Sequence, residues 1–236
     1  MNKTSYKKYH RDSDYIENEN LFKNIFMKRY LLIDRYIKNG KRVLEIGCSN
    51  GVFLDIYKEN GWETFGVEPS KNGIVAQNRG HKVYRDIFEN VSLPKKYFDL
   101  VIMNHTLEHV KDANFVLEKI NSILKTDGIL FIDVPNAGGF LSKIMGDKWP
   151  HRLPLEHNYQ FTKNSLTKYI INNKFKVLHW ESRSGLFEFA NPLSELWQSF
   201  SGFKKRFFED ILGFPYSLFV TAINMGDSMS IIARKK

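Results

Sequence analysis

The chain has 236 residues, of which 42% are hydrophobic, and its formal net charge is +9. This length and apolar fraction predict one α/β domain with a core of its own. Cys48 is the single cysteine, which excludes a disulfide framework and a cysteine-rich zinc site. Residues 1–20 are polar and no run of 18 apolar residues occurs, so we expect no signal peptide, no membrane span and a cytoplasmic location.

The basic excess lies in the two flanks of the chain. Residues 1–42 carry 11 Lys and Arg against 5 Asp and Glu, and residues 203–236 carry 6 against 3. Residues 43–202 are balanced at 18 against 18. Basic flanks can meet an acidic partner, and a solvated basic surface is the alternative interpretation.

Helix and strand patterns alternate along the chain. Residues 14–37 predict one or two helices, which end at Asn39-Gly40. Strands are predicted at 42–46, 63–67, 81–84, 98–103, 128–134, 175–181 and 228–233. Helices are predicted at 51–60, 71–79, 112–125 and from Thr162 to about Asn173. This alternation predicts a mostly parallel sheet with helices on both faces.

A glycine turn follows the first strand. Glu45 lies in the apolar run 43–46, Gly47 and Gly51 break the chain, and an amphipathic helix follows. A strand, a tight glycine turn and a helix N-terminus are typical of a nucleotide-binding loop. A dinucleotide fingerprint needs glycine at the first, third and sixth positions, where this chain has Gly47, Ser49 and Val52. The spacing therefore disfavours an NAD-type oxidoreductase.

Polar residues follow the next strands. Glu68 ends the second strand, and Pro69 then turns the chain away. A carboxylate at this place can accept hydrogen bonds from a ribose diol. Asp86 follows the third strand, and the buried strand beginning at Phe98 ends at Asn104.

The segments Val43–Gly51, Gly66–Ser70, 85–87 and Asp99–Val110 resemble those of class I S-adenosylmethionine (SAM)-dependent methyltransferases. The resemblance covers roughly residues 15–185 and is closest to small bacterial enzymes that act on metabolites, quinone precursors or glycans. It implies a Rossmann-like, doubly wound α/β fold with a mostly parallel seven-stranded sheet, an antiparallel last strand, N-terminal helices and a helical cap insertion. It also implies SAM as the cofactor.

The same resemblance assigns residues to SAM. Glu45 and the glycine loop would face the methionine end, and Asp86 with Ile87 would hold the adenine. The implied cofactor-binding residues are Glu45, Gly47, Cys48, Ser49, Gly51, Glu68, Pro69, Asp86, Ile87, Asn104 and His105. We expect one domain over 1–236, with an N-terminal helical arm (1–40), a SAM-binding core (41–185), an aromatic-rich helical cap (186–222) and the final strand (223–236).

Methyl transfer to a hydroxyl needs a base near neutral pH, and histidine is the usual one. His109 and His157 are the predicted catalytic residues, with His105 and His151 in the same regions. The alternative is that these histidines only shape the pocket. No metal is expected, because the fourth strand ends at Asn104 where catechol-type, metal-dependent enzymes need a carboxylate.

We predict methyl transfer to an oxygen, less readily to a nitrogen or carbon, of a small molecule or sugar in glycan or quinone biosynthesis. A nucleic-acid acceptor is disfavoured for two reasons. Residues 104–107 (Asn-His-Thr-Leu) lack the Pro-Pro motif of base-amino methyltransferases. Cytosine C5 methyltransferases need a cysteine nucleophile in that region, but the single cysteine, Cys48, lies in the cofactor loop. A non-catalytic SAM- or nucleotide-binding module is the alternative. Residues 135–161 and 186–222 would select the acceptor, and neither contains a specific motif.

The aromatic-rich segment 186–222 has two interpretations. It could be a helical cap that lines the acceptor pocket. It could also touch a membrane surface, because Lys204, Lys205 and Arg206 stand beside several phenylalanines. The sequence leaves the oligomeric state open.

Overall fold

A computed structural model of the protein describes residues 18–202 and 205–236. The strands are β1 (Arg42–Ile46), β2 (Glu63–Val67), β3 (Lys82–Tyr84), β4 (Phe98–Asn104), β5 (Leu124–Pro135), β6 (Phe175–Arg183) and β7 (Ser228–Lys235). The helices are α1 (Glu19–Asp34), α2 (Val52–Glu59), α3 (Asn72–Asn78), α4 (Ala113–Ile123), α5 (Phe140–Met145), α6 (Lys163–Asn172), α7 (Pro192–Ser201) and α8 (Lys205–Ala222). Short 3₁₀ turns lie at Phe88–Asn90, Leu107–His109, Gly146–Lys148 and Gly185–Glu188.

The strands form one seven-stranded sheet in the order β3-β2-β1-β4-β5-β7-β6. The pairs β1–β2, β1–β4, β2–β3 and β4–β5 are parallel. β7 lies between β5 and β6 and runs antiparallel to both. The predicted fold class, with its antiparallel last strand, is therefore confirmed.

Helices cover both faces of this sheet. On one face, Leu44 and Met103 pack in a cluster that includes Val116 of α4 and Leu166 of α6. On the other face, the alternate strand positions pack with residues of α1 and α2. The Phe26 ring of α1 stacks on that of Phe53 in α2, with centroids 4.8 Å apart. Successive side chains of a strand point to opposite faces, so strands buried on both sides need apolar residues throughout.

Most boundaries lie within two residues of the sequence prediction, and the start of β5 is the clearest difference. β5 begins at Leu124, four residues before the predicted start, because Leu124 pairs with Phe98 before the register shifts. Residues 126–127, between the predicted helix and the predicted strand, thus lie inside the strand, where Asp127 has a φ of +61°. Helix α6 begins after Thr162, whose hydroxyl accepts the N–H of Ser165 in a capping box.

Two helices, α7 and α8, occupy the segment where a cap is predicted. Of the N-terminal helices, the structure describes one, α1, and the predicted start at residue 14 lies outside the described residues. The division into arm, core and cap stays a prediction. Across 18–202 and 205–236, no helix combines the length and apolar character needed to cross a bilayer.

Candidate active site

The loop between β1 and α2 has a strained backbone. Gly47 and Gly51 have φ values of +79° and +85°, and Ser49 has +44°. A Cβ on Gly47 would lie 2.5 Å from the Thr106 hydroxyl, and one on Gly51 would lie 2.7 Å from Cδ2 of His81. Because both the conformation and the space favour glycine, these two positions let the chain turn tightly into α2. The serine at the middle position adopts the left-handed conformation that glycine would take more easily.

Glu68 fastens this loop to the end of β2. Its Oε2 accepts the main-chain N–H of Ser49 at 3.0 Å, and its Oε1 accepts that of Ser70 at 2.8 Å. The Ser49 hydroxyl in turn accepts from the side-chain amide of Asn72 at 3.1 Å. The predicted residues Glu68 and Ser49 are therefore in direct contact, with Pro69 following Glu68 between β2 and α3. A carboxylate oxygen that accepts one N–H keeps a second lone pair for a ligand hydroxyl.

Glu45 is a buried carboxyl beneath the loop. It is 3% exposed, and its Oε2 has no hydrogen-bond partner among the described residues. Burial raises the pKa of Glu45 well above its usual value, and the nearby Glu68 carboxylate adds to the rise. A buried polar atom without a partner is costly, so it indicates a place where a ligand donor belongs.

Cys48 and Asp86 contact protein groups. The Cys48 thiol is buried in the apolar cluster that contains Val52 and Leu54, its main-chain N–H donates to the Val67 carbonyl at 3.3 Å, and its carbonyl accepts from Gly51 at 2.9 Å. Asp86 accepts the N–H of Ile87 at 2.8 Å and the side-chain amide of Asn90 at 3.2 Å, just before the short turn after β3. The predicted role of Cys48 in the cofactor loop, and those of Asp86 and Ile87 at the adenine, stay predictions.

The carboxyl ends of β4 and β5 carry a second group of polar residues. Asn104 is 8% exposed, and its Oδ1 has no hydrogen-bond partner among the described residues. His105 follows with a φ of +49°, and its main-chain N–H donates to the Asp133 carbonyl at 2.7 Å. Its ring lies between two buried carboxylates, with Nδ1 3.6 Å from Glu108 and Nε2 3.6 Å from Asp133.

The two predicted catalytic histidines lie against each other. The rings of His109 and His157 meet edge to face with centroids 4.7 Å apart. Nδ1 of His109 lies 3.0 Å from the Glu156 carbonyl. A carboxylate oxygen of Glu108 and one nitrogen of each ring lie within 4.8 Å of one another. Such a cluster can share a proton, and its atoms are of the types that bind divalent cations. The expectation of no metal stays a prediction.

A cavity of about 350 Å³ lies at the same edge of the sheet. Phe22, Ile25 and Phe26 of α1 form an apolar wall. The remaining lining is mostly polar and consists of Arg29, Asn104, His105, Pro135, His151, Ser184, Gly185, Glu188, Asp227 and Ser228. His105 and His151 thus line the cavity, whereas His109 and His157 are not among its lining residues.

A buried charge network supports the floor of this cavity, and the sequence analysis missed it. Asp133 is fully buried and contacts Arg183 and Nε of Arg29, the latter at 3.3 Å. The Ser228 and Ser230 hydroxyls donate to Asp133 at 2.8 and 2.7 Å. Burial alone would raise the pKa of Asp133, but the two guanidinium groups, His105 and Ser230 outweigh it and hold the pKa below its usual value.

Glu188 extends the network to the cavity rim. Its Oε2 lies 2.5 Å from Arg29 and 3.1 Å from Arg183. A sequence signal existed for Arg29, since it follows Phe22, Ile25 and Phe26 at helical spacing on the apolar face of α1. Burying a charged side chain is costly unless it has charged or hydrogen-bonding partners, so an arginine on the apolar face of a helix indicates that such partners are present.

Comparison with known proteins agrees with this geometry. The family model described as "Methyltransferase domain" matches residues 18–179. A ubiquinone biosynthesis O-methyltransferase from Bradyrhizobium diazoefficiens is 29% identical over 150 residues, which cover 58% of this chain and 59% of the relative. A protein of the same name from Bradyrhizobium sp. is 28% identical over 171 residues, covering 67% and 66%. The chain thus spans about three fifths to two thirds of the length of these curated relatives.

Solved structures share the fold over nearly the whole chain. A SAM-dependent methyltransferase from Thermotoga maritima, described as a possible histamine N-methyltransferase, has a TM-score of 0.62 at 19% identity and covers 95% of each chain. A SAM-dependent methyltransferase from Archaeoglobus fulgidus has a TM-score of 0.62 at 23% identity and covers 94% of this chain and 99% of its own. Because the family model covers more than half of the chain, and because the sheet has the order described above, the chain belongs to the class I SAM-dependent methyltransferases.

Proposed function

We propose that this chain transfers the methyl group of SAM to a hydroxyl oxygen of a small acceptor bound in the cavity at the ends of β4 and β5. The observation that carries the proposal is that the glycine loop and this cavity share one strand end. Gly47 packs against Thr106, while Asn104 and His105 beside it line the cavity. A cofactor in the loop and an acceptor in the cavity would therefore meet at the end of β4.

The residues under the glycine loop suit the cofactor. Among the described residues, Oε2 of Glu45 has no hydrogen-bond partner and the first N–H groups of α2 have no side-chain cap. Glu68 keeps lone pairs at the end of β2. SAM supplies a methyl group on a positively charged sulfur, which is already a strong electrophile. The protein has to orient the acceptor, exclude water and receive the acceptor proton.

An aromatic hydroxy compound fits the cavity better than a sugar. The wall of Phe22, Ile25 and Phe26 can pack on a ring, while the polar lining opposite can bind its hydroxyl groups. The curated relatives are named ubiquinone biosynthesis O-methyltransferases, which supports a quinone precursor as acceptor. A glycan acceptor is the second candidate. A histidine at the cavity favours oxygen over carbon as the methylated atom.

Calorimetry with SAM, S-adenosylhomocysteine and NAD tests the cofactor. We expect binding of the first two and none of NAD. Release of S-adenosylhomocysteine in the presence of dihydroxybenzoates or monosaccharides tests the reaction. Binding of SAM without turnover of any hydroxyl acceptor would favour a non-catalytic module, and binding of NAD alone would contradict the family's cofactor.

We also propose that the cap contacts a membrane surface from a cytoplasmic location. Large apolar side chains of α7 and α8 are exposed, with Trp197, Phe208 and Leu212 at 68, 66 and 81%. The sequence places Lys204, Lys205 and Arg206 next to them, which suits anionic lipid. Tyr216 of α8 donates to Asp227 at the cavity at 3.2 Å, so the cap and the cavity are joined.

Co-sedimentation with anionic vesicles at low salt tests the membrane contact. We expect the native chain to pellet and the double variant Trp197→Ser/Leu212→Ser to stay in solution. Leu155, which is 97% exposed outside the cap, gives the matched control Leu155→Ser. No pelleting of the native chain, or equal pelleting of all three proteins, would contradict the proposal.

A further inference from the structure

His105 is one of the two histidines, with His151, that line the cavity among the described residues. It follows the last residue of β4, lines the cavity, and its side chain is 26% exposed. Its φ of +49° is uncommon for a residue with a side chain. The main-chain N–H of His105 donates to the Asp133 carbonyl at 2.7 Å, which continues the β4–β5 pairing past Asn104. The backbone therefore holds the ring at the cavity wall.

The two carboxylates beside the ring differ in their other partners. Asp133 is neutralised by Arg29 and Arg183, and its Oδ1 already accepts from Ser228 at 2.8 Å. Glu108 is 1% exposed, and neither of its oxygens has a hydrogen-bond partner among the described residues. Burial alone would raise the pKa of Glu108, but His105 and His109 outweigh it and lower the pKa, so Glu108 carries its charge.

These environments select the tautomer of His105. Glu108 is charged, its oxygens have no hydrogen-bond partner among the described residues, and it lies 3.6 Å from Nδ1, which favours the N–H on that nitrogen. The lone pair is then on Nε2, where Asp133 is already compensated by two arginines. A carboxylate that holds an imidazole in this way fixes its tautomer and stabilises the imidazolium that forms on proton uptake.

We propose that His105 is the general base of the methyl transfer, with Nε2 as the proton-accepting atom and Glu108 as its positioning residue. This inference rests on the proposed O-methylation. The acceptor oxygen forms a bond to the methyl carbon, the carbon–sulfur bond breaks with its electron pair on sulfur, and the hydroxyl proton passes to Nε2 of His105. The products are the methyl ether, S-adenosylhomocysteine and an imidazolium ion, which loses its proton to solvent.

His109 and His157 are less suited to this role. His109 is 8% exposed, its Nδ1 faces the Glu156 carbonyl at 3.0 Å, and its ring packs on that of His157. Neither ring is among the groups that line the cavity. They instead lie beside Glu108, and His109 has its Nε2 3.9 Å from a carboxylate oxygen of Glu108.

A pair of acceptors that differ in acidity tests the base. The probes are 3,4-dihydroxybenzoate, whose hydroxyls are protonated near neutral pH, and 4-nitrocatechol, which is largely ionised there. We expect His105→Gln to lower kcat for the first probe by about 10²–10⁴-fold, the usual contribution of a general base. The loss with 4-nitrocatechol should be below about tenfold, because its proton has already left. Glu108→Gln should show the same pattern with a smaller loss.

His179→Gln is the matched control, since His179 also faces a carboxylate, Glu181 at 3.1 Å, but lies outside the cavity. We expect it to turn over both probes like the native chain. Calorimetry should show that every variant still binds S-adenosylhomocysteine, and thermal unfolding should show that each is folded. Equal losses on both probes, or no loss, in a folded His105→Gln variant would overturn the role of His105. Failure of the native chain to methylate either probe, with the cofactor bound, would instead overturn the proposed O-methylation.

Discussion

The main-chain N–H of Ser49 donates to Oε2 of Glu68 over 3.0 Å, so the end of β2 holds the loop that follows β1. Glu68→Ala removes both this bond and the proposed ribose contact. We expect the affinity for S-adenosylhomocysteine to fall by about 1–3 kcal/mol, the range for a lost buried hydrogen bond to a charged group. Isothermal calorimetry measures it.

Glu63 provides the control for that variant. It begins the same strand but pairs with Arg42 and Lys82 at the surface. Glu63→Ala should bind S-adenosylhomocysteine like the native chain. An unchanged affinity in Glu68→Ala would mean that the cofactor site lies elsewhere.

A larger residue at Gly47 should abolish cofactor binding. In Gly47→Val the new Cβ would lie 2.5 Å from the Thr106 hydroxyl, in a backbone conformation that a β-branched residue avoids. Gly61→Val introduces the same strain at a φ of +77° but meets no atom within 4 Å. Calorimetry and thermal unfolding of both variants separate strain from loss of the site. Native affinity in Gly47→Val would contradict the assignment of the loop.

Glu45 should limit the stability of the ligand-free protein. Burial, and to a lesser extent Glu68, raises the pKa of the Glu45 carboxyl in the folded protein. The contribution of this carboxyl to the free energy of unfolding is therefore full below its unfolded pKa and is lost as pH rises through its folded pKa. The amide of Glu45→Gln does not ionise, so the variant does not lose stability as pH rises. We expect it to raise the free energy of unfolding at pH 8 by about 1–3 kcal/mol and to have little effect at pH 4.

The same variant should bind SAM more weakly, because the carboxylate that would meet the ligand amino group is gone. Thermal unfolding at both pH values and calorimetry at pH 8 measure the two effects. A variant that is destabilised at pH 8, or that binds SAM as tightly as the native chain, would contradict this role for Glu45.

Breaking the buried charge network should be costly. Arg183→Met leaves Asp133 under-compensated, and we expect a loss of about 3–5 kcal/mol in the free energy of unfolding at pH 7. The pKa of Asp133 is lowered in the fold, so its stabilisation is present above its unfolded pKa and is lost as pH falls through its folded pKa. Arg42→Met breaks a half-exposed pair with Glu63 and should cost far less. Urea unfolding compares the two, and equal losses would contradict the prediction.

Turnover should not depend on a bound metal. We expect activity to survive dialysis against EDTA, measured as release of S-adenosylhomocysteine. If dialysis abolishes activity, and zinc or magnesium restores it in the native chain but not in His157→Ala, the cluster of Glu108, His109 and His157 binds a metal.

Short-range patterns predicted most of the fold from the sequence. The predicted and observed bounds of β1 and β2 agree, because their apolar residues are bounded by glycine turns and helix starts. Thr162 was identifiable as a helix N-cap for the same local reason. The one clear shift, at the start of β5, depends on pairing between Leu124 and Phe98, which no local pattern encodes.

One part of the candidate site was predictable from local sequence patterns, and the other part was not. The glycine loop and Glu68 lie within one strand–helix–strand unit, so spacing alone brought them together. The cavity instead takes residues from α1, β4, β5, β7 and the turn at Gly185–Glu188. Arg29 meets Glu188 across 159 residues of sequence, and such a pair becomes visible only when the fold is known.

β7 lies inside the sheet, although it follows every other strand along the chain. During synthesis, β5 and β6 are therefore made before the strand that lies between them. Asp133 can form its hydrogen bonds with Ser228 and Ser230 only after β7 has been made. A nascent chain that ends before residue 228 would contain the glycine loop and β1–β5 but not Ser228 and Ser230, which bind Asp133 beneath the cavity. The proposed cofactor loop can thus form early, whereas the proposed acceptor cavity is completed only by the last strand.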